Sequence, residues 1–137
     1  MKTLYIVLVF VIVSASCKSD VIVPEKLIGI WNHAYQVQYK TSDGTWGPWN
    51  SFVTITAIPP IEFTAKGSFL RDGKPGAECC TAGNKFTVVS ERIIFSDLKG
   101  CPQMSCLPCS EWGIQRLNSD TLVVEACMTR NKYYRSK

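Results

Sequence analysis

From Trp31 to Tyr39 the chain alternates strictly. Trp31, His33, Tyr35, Val37 and Tyr39 share one parity, and Asn32, Ala34, Gln36 and Gln38 the other. Successive side chains of a strand point to opposite faces, so this pattern specifies a half-buried β-strand and is out of phase with a helix. The same grammar recurs. Residues 50–58 are rich in β-branched side chains, and the segments 61–64, 68–70, 86–89, 92–95, 112–117, 121–126 and 132–135 read as further short strands. Punctuation lies between them. Asp43-Gly44 is a strong tight-turn pair, Pro59-Pro60 cannot donate to a ladder, and Lys66-Gly67 and Asn118-Ser119-Asp120 are turn chemistry. Residues 71–85 and 96–110 are long loops by composition. No segment carries a helical period for more than a turn or two, and no internal repeat is present.

Such a chain is expected to be all-β, with one antiparallel meander of about eight strands. Closing the meander into a barrel removes exposed strand edges, which gives closure a physical motive. The 137 residues suit one domain, and 46% hydrophobic with 19% charged residues is a globular composition. The formal charge is +4, but the basic residues are scattered rather than clustered. That excludes the footprint of a nucleic-acid binder, so no nucleic-acid partner is expected.

The N-terminus has its own logic. Leu4 to Val13 is an uninterrupted apolar run, preceded by Lys2 and followed by Ser14, Ala15 and Ser16. A spanning helix needs about 20 apolar residues, so this shorter run is expected to be a signal peptide covering residues 1–16. Ser14-Ala15-Ser16-Cys17 resembles a bacterial lipobox, with Ser14 where the strict pattern has leucine. Cleavage before Cys17 and lipidation of that cysteine would anchor the protein to a membrane, expected to be the outer membrane, without spanning it. Residues 17–26 then form a tether, and 27–137 the folded domain.

There are seven cysteines. With Cys17 lipidated, Cys79, Cys80, Cys101, Cys106, Cys109 and Cys127 remain, an even number that suits structural disulfides in an oxidising compartment. The pairing is open, although adjacent Cys79 and Cys80 are expected to bond to different partners. Two other readings exist. Cys106-x2-Cys109 has the spacing of a zinc-ligand pair, but a second matched pair is missing. The same pair could form a redox dithiol, although nothing there predicts the helix N-terminus that usually activates one. Neither metal nor cofactor is expected.

The order of motifs resembles the small lipocalin-like domains of bacterial lipoproteins. Leu27, Gly29 and Trp31 give a Leu-x-Gly-x-Trp start. Phe63, Gly67 and Phe69 give an aromatic hairpin. Ile114, Leu117, Asp120 and Leu122 give a late hairpin, and Tyr133-Tyr134-Arg135 the close. The resemblance covers residues 27–135 and implies a lipocalin-like barrel. The cysteine loops depart from the general pattern. On alternation alone, Trp31, His33, Tyr35, Phe63, Phe69 and Trp112 would line any cavity, with Arg116 as a charged orienting group. His33 is the sole histidine, and no catalytic constellation accompanies it. The expected activity is non-enzymatic binding of a small, mostly apolar ligand. The alternative is a protein-interaction or inhibitor module, in which the stapled loops 71–85 and 96–110 grip an envelope partner.

Overall fold

The computed structural model describes residues 22–103, 105 and 108–137. The expected signal peptide, Cys17, the first part of the tether and Cys106 lie outside the described residues. Ten strands are present among those described: β1 Gly29–Tyr39, β2 Asn50–Ser51, β3 Ile61–Phe63, β4 Phe69–Arg71, β5 Lys74–Pro75, β6 Gly83–Val89, β7 Arg92–Leu98, β8 Glu111–Leu117, β9 Thr121–Ala126 and β10 Thr129–Arg135.

All pairings between strands are antiparallel, in the order β5-β4-β3-β1-β10-β9-β8-β7-β6, with β2 added beside β1. The first and last long strands are thus neighbours, and the sheet curls until its two ends approach. A bridge between Ser68 and Lys85 and a hydrogen bond from Phe86 N to Gly67 O (2.8 Å) join the β4 side to β6. The meander is therefore a nearly closed barrel. The path holds nine strands rather than about eight, because Lys74–Pro75 inside the expected loop 71–85 makes a short extra strand.

The turns follow the sequence. Gly44 has φ +83°, and Lys40 bridges to Trp46 across the Asp-Gly turn. Asp43 accepts from Thr41 and Thr45, and these hydrogen bonds lower its pKa to about 2. Gly83 is required by packing, since a Cβ there would stand 1.9 Å from the Ser96 carbonyl oxygen of the neighbouring strand.

One expected strand is corrected. Of residues 50–58, only Asn50–Ser51 pair, with Gln36 and Val37. β1 explains this. Its pairing with β10 shifts register between His33 and Val37, and Tyr35 takes φ 54°. Beyond that bulge, β3 takes the same edge of β1 at Gly29–Trp31. The β-branched run that follows has no ladder to join. It becomes an exposed connection, with Val53 and Ile55 in solvent.

The barrel interior is filled by aromatic side chains. Phe69 touches Phe63, Phe95 and Trp112 at ring distances of 5.2, 5.1 and 5.7 Å, and Phe63 meets Phe86 edge-on at 5.0 Å. Tilted and edge-to-face pairs at this spacing stabilise beyond the area they bury. Ile61, Ile93, Leu122 and Val124 complete the buried set.

Candidate functional site

The two ends of the barrel differ. At one end Leu27 and Trp31 are fully buried, and the Trp31 indole N–H donates to Leu27 O at 2.9 Å. The Arg135 guanidinium stacks over the Trp31 ring at 4.3 Å and donates to the carbonyls of Lys26, Ile28 and Ser119. This plug ties the C-terminal strand to the chain segment that enters β1. Gly29 belongs to it, because the Arg135 Nη1 atom lies 2.6 Å from where a Cβ would be.

Among the described residues the opposite end is open. A cavity of about 480 Å³ lies there, lined by His33, Phe52, Arg71, Trp112, Asn131 and Tyr133 among others. Small-molecule sites typically occupy roughly 300–1,000 Å³. Its edges are the connections that link the strands at this end. Phe52 N donates to Tyr35 O at 3.0 Å, and Ile58 N to the Tyr35 hydroxyl at 3.1 Å. The bulge in β1 thus holds the segment 52–58 against the mouth, with Phe52 and Ile58 turned to the cavity.

The cysteine loops form the other side. Cys79 bonds Cys101, and Cys109 bonds Cys127, each with Cα atoms 5.7 Å apart. Cys80 is also disulfide-bonded, so the adjacent pair does split between partners. Cys109 is bonded to Cys127, which takes it out of the alternative zinc-pair and redox-dithiol readings of Cys106-x2-Cys109. The Trp112 indole donates to Thr81 O at 2.9 Å, fastening the β5–β6 connection to the base of β8. Cys109, Cys127 and Thr81 all line the cavity.

The pocket carries one matched ion pair, Arg71–Glu78, beside His33 and Tyr133. Tyr35 N donates to His33 Nδ1 at 2.8 Å, so Nδ1 is the acceptor nitrogen; Nε2 faces Asn131 Oδ1 at 3.4 Å. The neutral ring with its proton on Nε2 fits both contacts. Burial lowers the His33 pKa below 6.5; the Asn131 contact opposes this and the Arg71 charge adds to it. Burial pushes the Tyr133 hydroxyl up to about 12, with Arg71 opposing and Glu78 reinforcing. Arg71 is paired with Glu78 at 3.0 Å, which in turn accepts from Thr81. The Arg71 Nε atom is buried without a hydrogen-bond partner among the described residues. Around His33, Tyr35, Phe52 and Tyr133 meet edge-on at ring distances of 5.7, 5.5 and 5.0 Å. The hydrogen bonds of His33 run to Asn131 and to the Tyr35 backbone among the described residues.

An antiparallel meander, first strand paired to last, plugged at one end by a tryptophan under an arginine and open at the other, defines the architecture. The fold is a nearly closed antiparallel β-barrel, the architecture that the resemblance to lipocalin-like domains implies. No protein-family model matches the chain, and no curated protein matches it. Among solved structures it is similar to a lipocalin-like protein from Bacteroides uniformis ATCC 8492, at 18% identity and a TM-score of 0.37, over 81% of this chain and 99% of that one.

The barrel separates the residues expected to line a cavity. His33 and Trp112 do line it, and Tyr35 stands beside it holding the segment 52–58. Trp31, Phe63 and Phe69 are fully buried in the packed interior and plug rather than line. Arg116 is a correction. It pairs with Val123 after the register shift in β8, is exposed, and stands on the outer wall. The bulge at Gln115 redirects it, and period-two counting along 112–117 cannot anticipate a bulge. Sequence reasoning missed Tyr133, Asn131, Phe52, Arg71 and Glu78. Alternation on the last strand could have found Tyr133 and Asn131. Arg71 and Glu78 sat inside a stretch that read as loop, where alternation says nothing.

Proposed function

We propose that this protein is a non-enzymatic binder of a small, mostly apolar and uncharged ligand, held in the mouth of the barrel. The observation that carries the reading is the cavity of about 480 Å³ between Phe52, Trp112 and Tyr133, at the barrel end opposite the Trp31–Arg135 plug. Its wall combines aromatic surface with a few fixed polar groups, the usual make-up of a small-molecule site. A neutral His33, a protonated Tyr133 and an internally paired Arg71–Glu78 leave little net charge, which favours an uncharged guest. The disulfides contribute preorganisation: loops already stapled at the rim have less entropy to lose on binding. On this reading the signal-like residues 1–16 would export the protein and lipid on Cys17 would tether it to the outer membrane, where an apolar ligand would be encountered.

Native mass spectrometry of the protein after exposure to an envelope lipid extract tests this. A retained organic mass at one-to-one stoichiometry, lost on widening the mouth with Phe52→Ala, is the expected result. A protein that emerges from the extract with no added mass, while an unrelated lipid carrier treated alike retains one, would overturn it.

A further inference from the structure

A second concavity lies on the outside of the barrel, of about 380 Å³, lined by Gln38, Trp49, Arg116, Val123, Arg130 and Lys132. Its layout follows from the ladder. Val123 is paired with Arg116 on one side and Lys132 on the other. Neighbouring strands are about 4.8 Å apart, so the two cations stand roughly 10 Å apart across one valine. Val123 is 8% exposed although it faces outward, because the side chains around it form the walls of a groove and it forms the floor.

The cations of this groove are unequal. Arg130 pairs with Glu125 at 3.0 Å and donates to Gln115. Arg116 and Lys132 have no carboxylate partner among the described residues. Lys132 is oriented instead by the Gln36 side-chain oxygen, 3.2 Å away. The groove therefore keeps two uncompensated positive charges facing a common space, an arrangement that an anion would bridge.

The rim supplies a different chemistry. The turn after β1 carries Trp46 and Trp49. Trp46 is fixed against the wall by the Arg130 guanidinium at 4.0 Å and by Lys40 at 5.5 Å. Gln38 donates to Gly47 O at 2.9 Å and holds the turn in place. Trp49 is 39% exposed at the edge of the groove. An exposed indole beside amides and guanidinium groups suits a ring with an apolar C–H face and a polar rim. Sugars have that character, and an acidic sugar adds the anion.

We infer that the outer groove is a binding site for an acidic carbohydrate. One ring stacks on Trp49, Gln38 meets its hydroxyls, and its carboxylate or other anionic group sits between Arg116 and Lys132 over Val123. The site is independent of the mouth, since the two share no lining residue. It would let the barrel rest on acidic envelope polysaccharide with its mouth still accessible.

The test titrates the protein with a galacturonic acid tetramer, a neutral galactose tetramer, inorganic phosphate, and vesicles containing phosphatidylglycerol. The readout is the indole N–H resonance of Trp49 in two-dimensional NMR, alongside tryptophan fluorescence. The acidic tetramer is expected to shift the Trp49 resonance saturably and to bind at least about tenfold more tightly than the neutral tetramer or phosphate. Trp49→Ala, and separately the pair Arg116→Gln with Lys132→Gln, should each weaken it about tenfold; all three positions are at the surface, and unchanged resonances of buried Trp31 confirm that each variant folds. Phosphate binding as well as the tetramer, or Trp49→Ala leaving affinity unchanged, would reduce the groove to a simple anion site and overturn the proposal. Vesicle binding with the same sensitivity, in place of tetramer binding, would overturn it in favour of a lipid surface.

Discussion

Replacing Cys109 and Cys127 together by alanine removes a covalent link between the β7–β8 loop and the β9–β10 turn. The two are 18 residues apart in sequence. On the chain-entropy argument, closing a loop of that length stabilises by about 3 kcal/mol at room temperature. For a domain of roughly this size each kcal/mol shifts Tm by about 4–8 °C, so a fall of roughly 12–24 °C is expected. The pair Cys79→Ala with Cys101→Ala opens a loop of 22 residues, and the logarithm makes its expected loss nearly the same. Scanning calorimetry of both double variants in oxidising buffer measures the two losses. The functional effects should diverge, because Cys109 and Cys127 line the mouth and the other pair does not. Ligand affinity should therefore drop more in the Cys109/Cys127 variant. A Tm loss below about 4 °C for either pair would show that the loops are held by their noncovalent contacts, and the entropic reasoning would fail.

Acid should weaken the fold through His33. Its pKa is lowered in the folded state, so unfolding takes up a proton once the pH drops below the free value of 6.5; the folded protein is at full strength above that pH and loses stability as pH falls through the lowered value. The difference in Tm between the wild type and His33→Gln, followed from pH 8 to pH 5, should narrow on the acid side; a constant difference would contradict the assignment. Gly83→Ala forces a Cβ against the Ser96 carbonyl and should cost about 2–3 kcal/mol in urea unfolding, with little change in the slope. Trp112→Phe removes the donor to Thr81 O from a largely buried site and should cost about 1–3 kcal/mol; faster hydrogen exchange in residues 76–82 would locate the loss, and unchanged exchange there would count against the tie.

The fold was legible where one physical rule governs each residue. Strand β1 itself, with Trp31 and Val37 buried, the Asp-Gly turn and the hairpin around Gly67 appear where the pattern puts them, because period and turn chemistry are local. Residues 50–58 show the limit. Their β propensity is real, yet pairing stops after Ser51, where the β1 bulge at Tyr35 breaks the ladder, and β3 takes the same edge at Gly29–Trp31. A bulge is a tertiary event with no periodic signature. Gln115 repeats the lesson, since one such irregularity sends Arg116 outward. The site was legible only in part for a related reason. Alternation identifies inward-facing residues such as Trp31, Phe69 and Trp112, but not the height each occupies along the barrel. Height separates the packed plug from the mouth. Arg71 and Glu78 reach the mouth from either side of β5, a two-residue strand too short to detect by pattern.

The most direct test of the central claim is a titration of the isotope-labelled protein with 1-decanol, an uncharged apolar probe, followed by NMR. The account predicts saturable one-to-one shifts at the Trp112 indole, the His33 ring and the Tyr133 amide, with Trp31 and the outer-wall Trp49 unmoved. Absence of saturation at the mouth, or shifts confined to the outer surface, would contradict a ligand site inside the barrel.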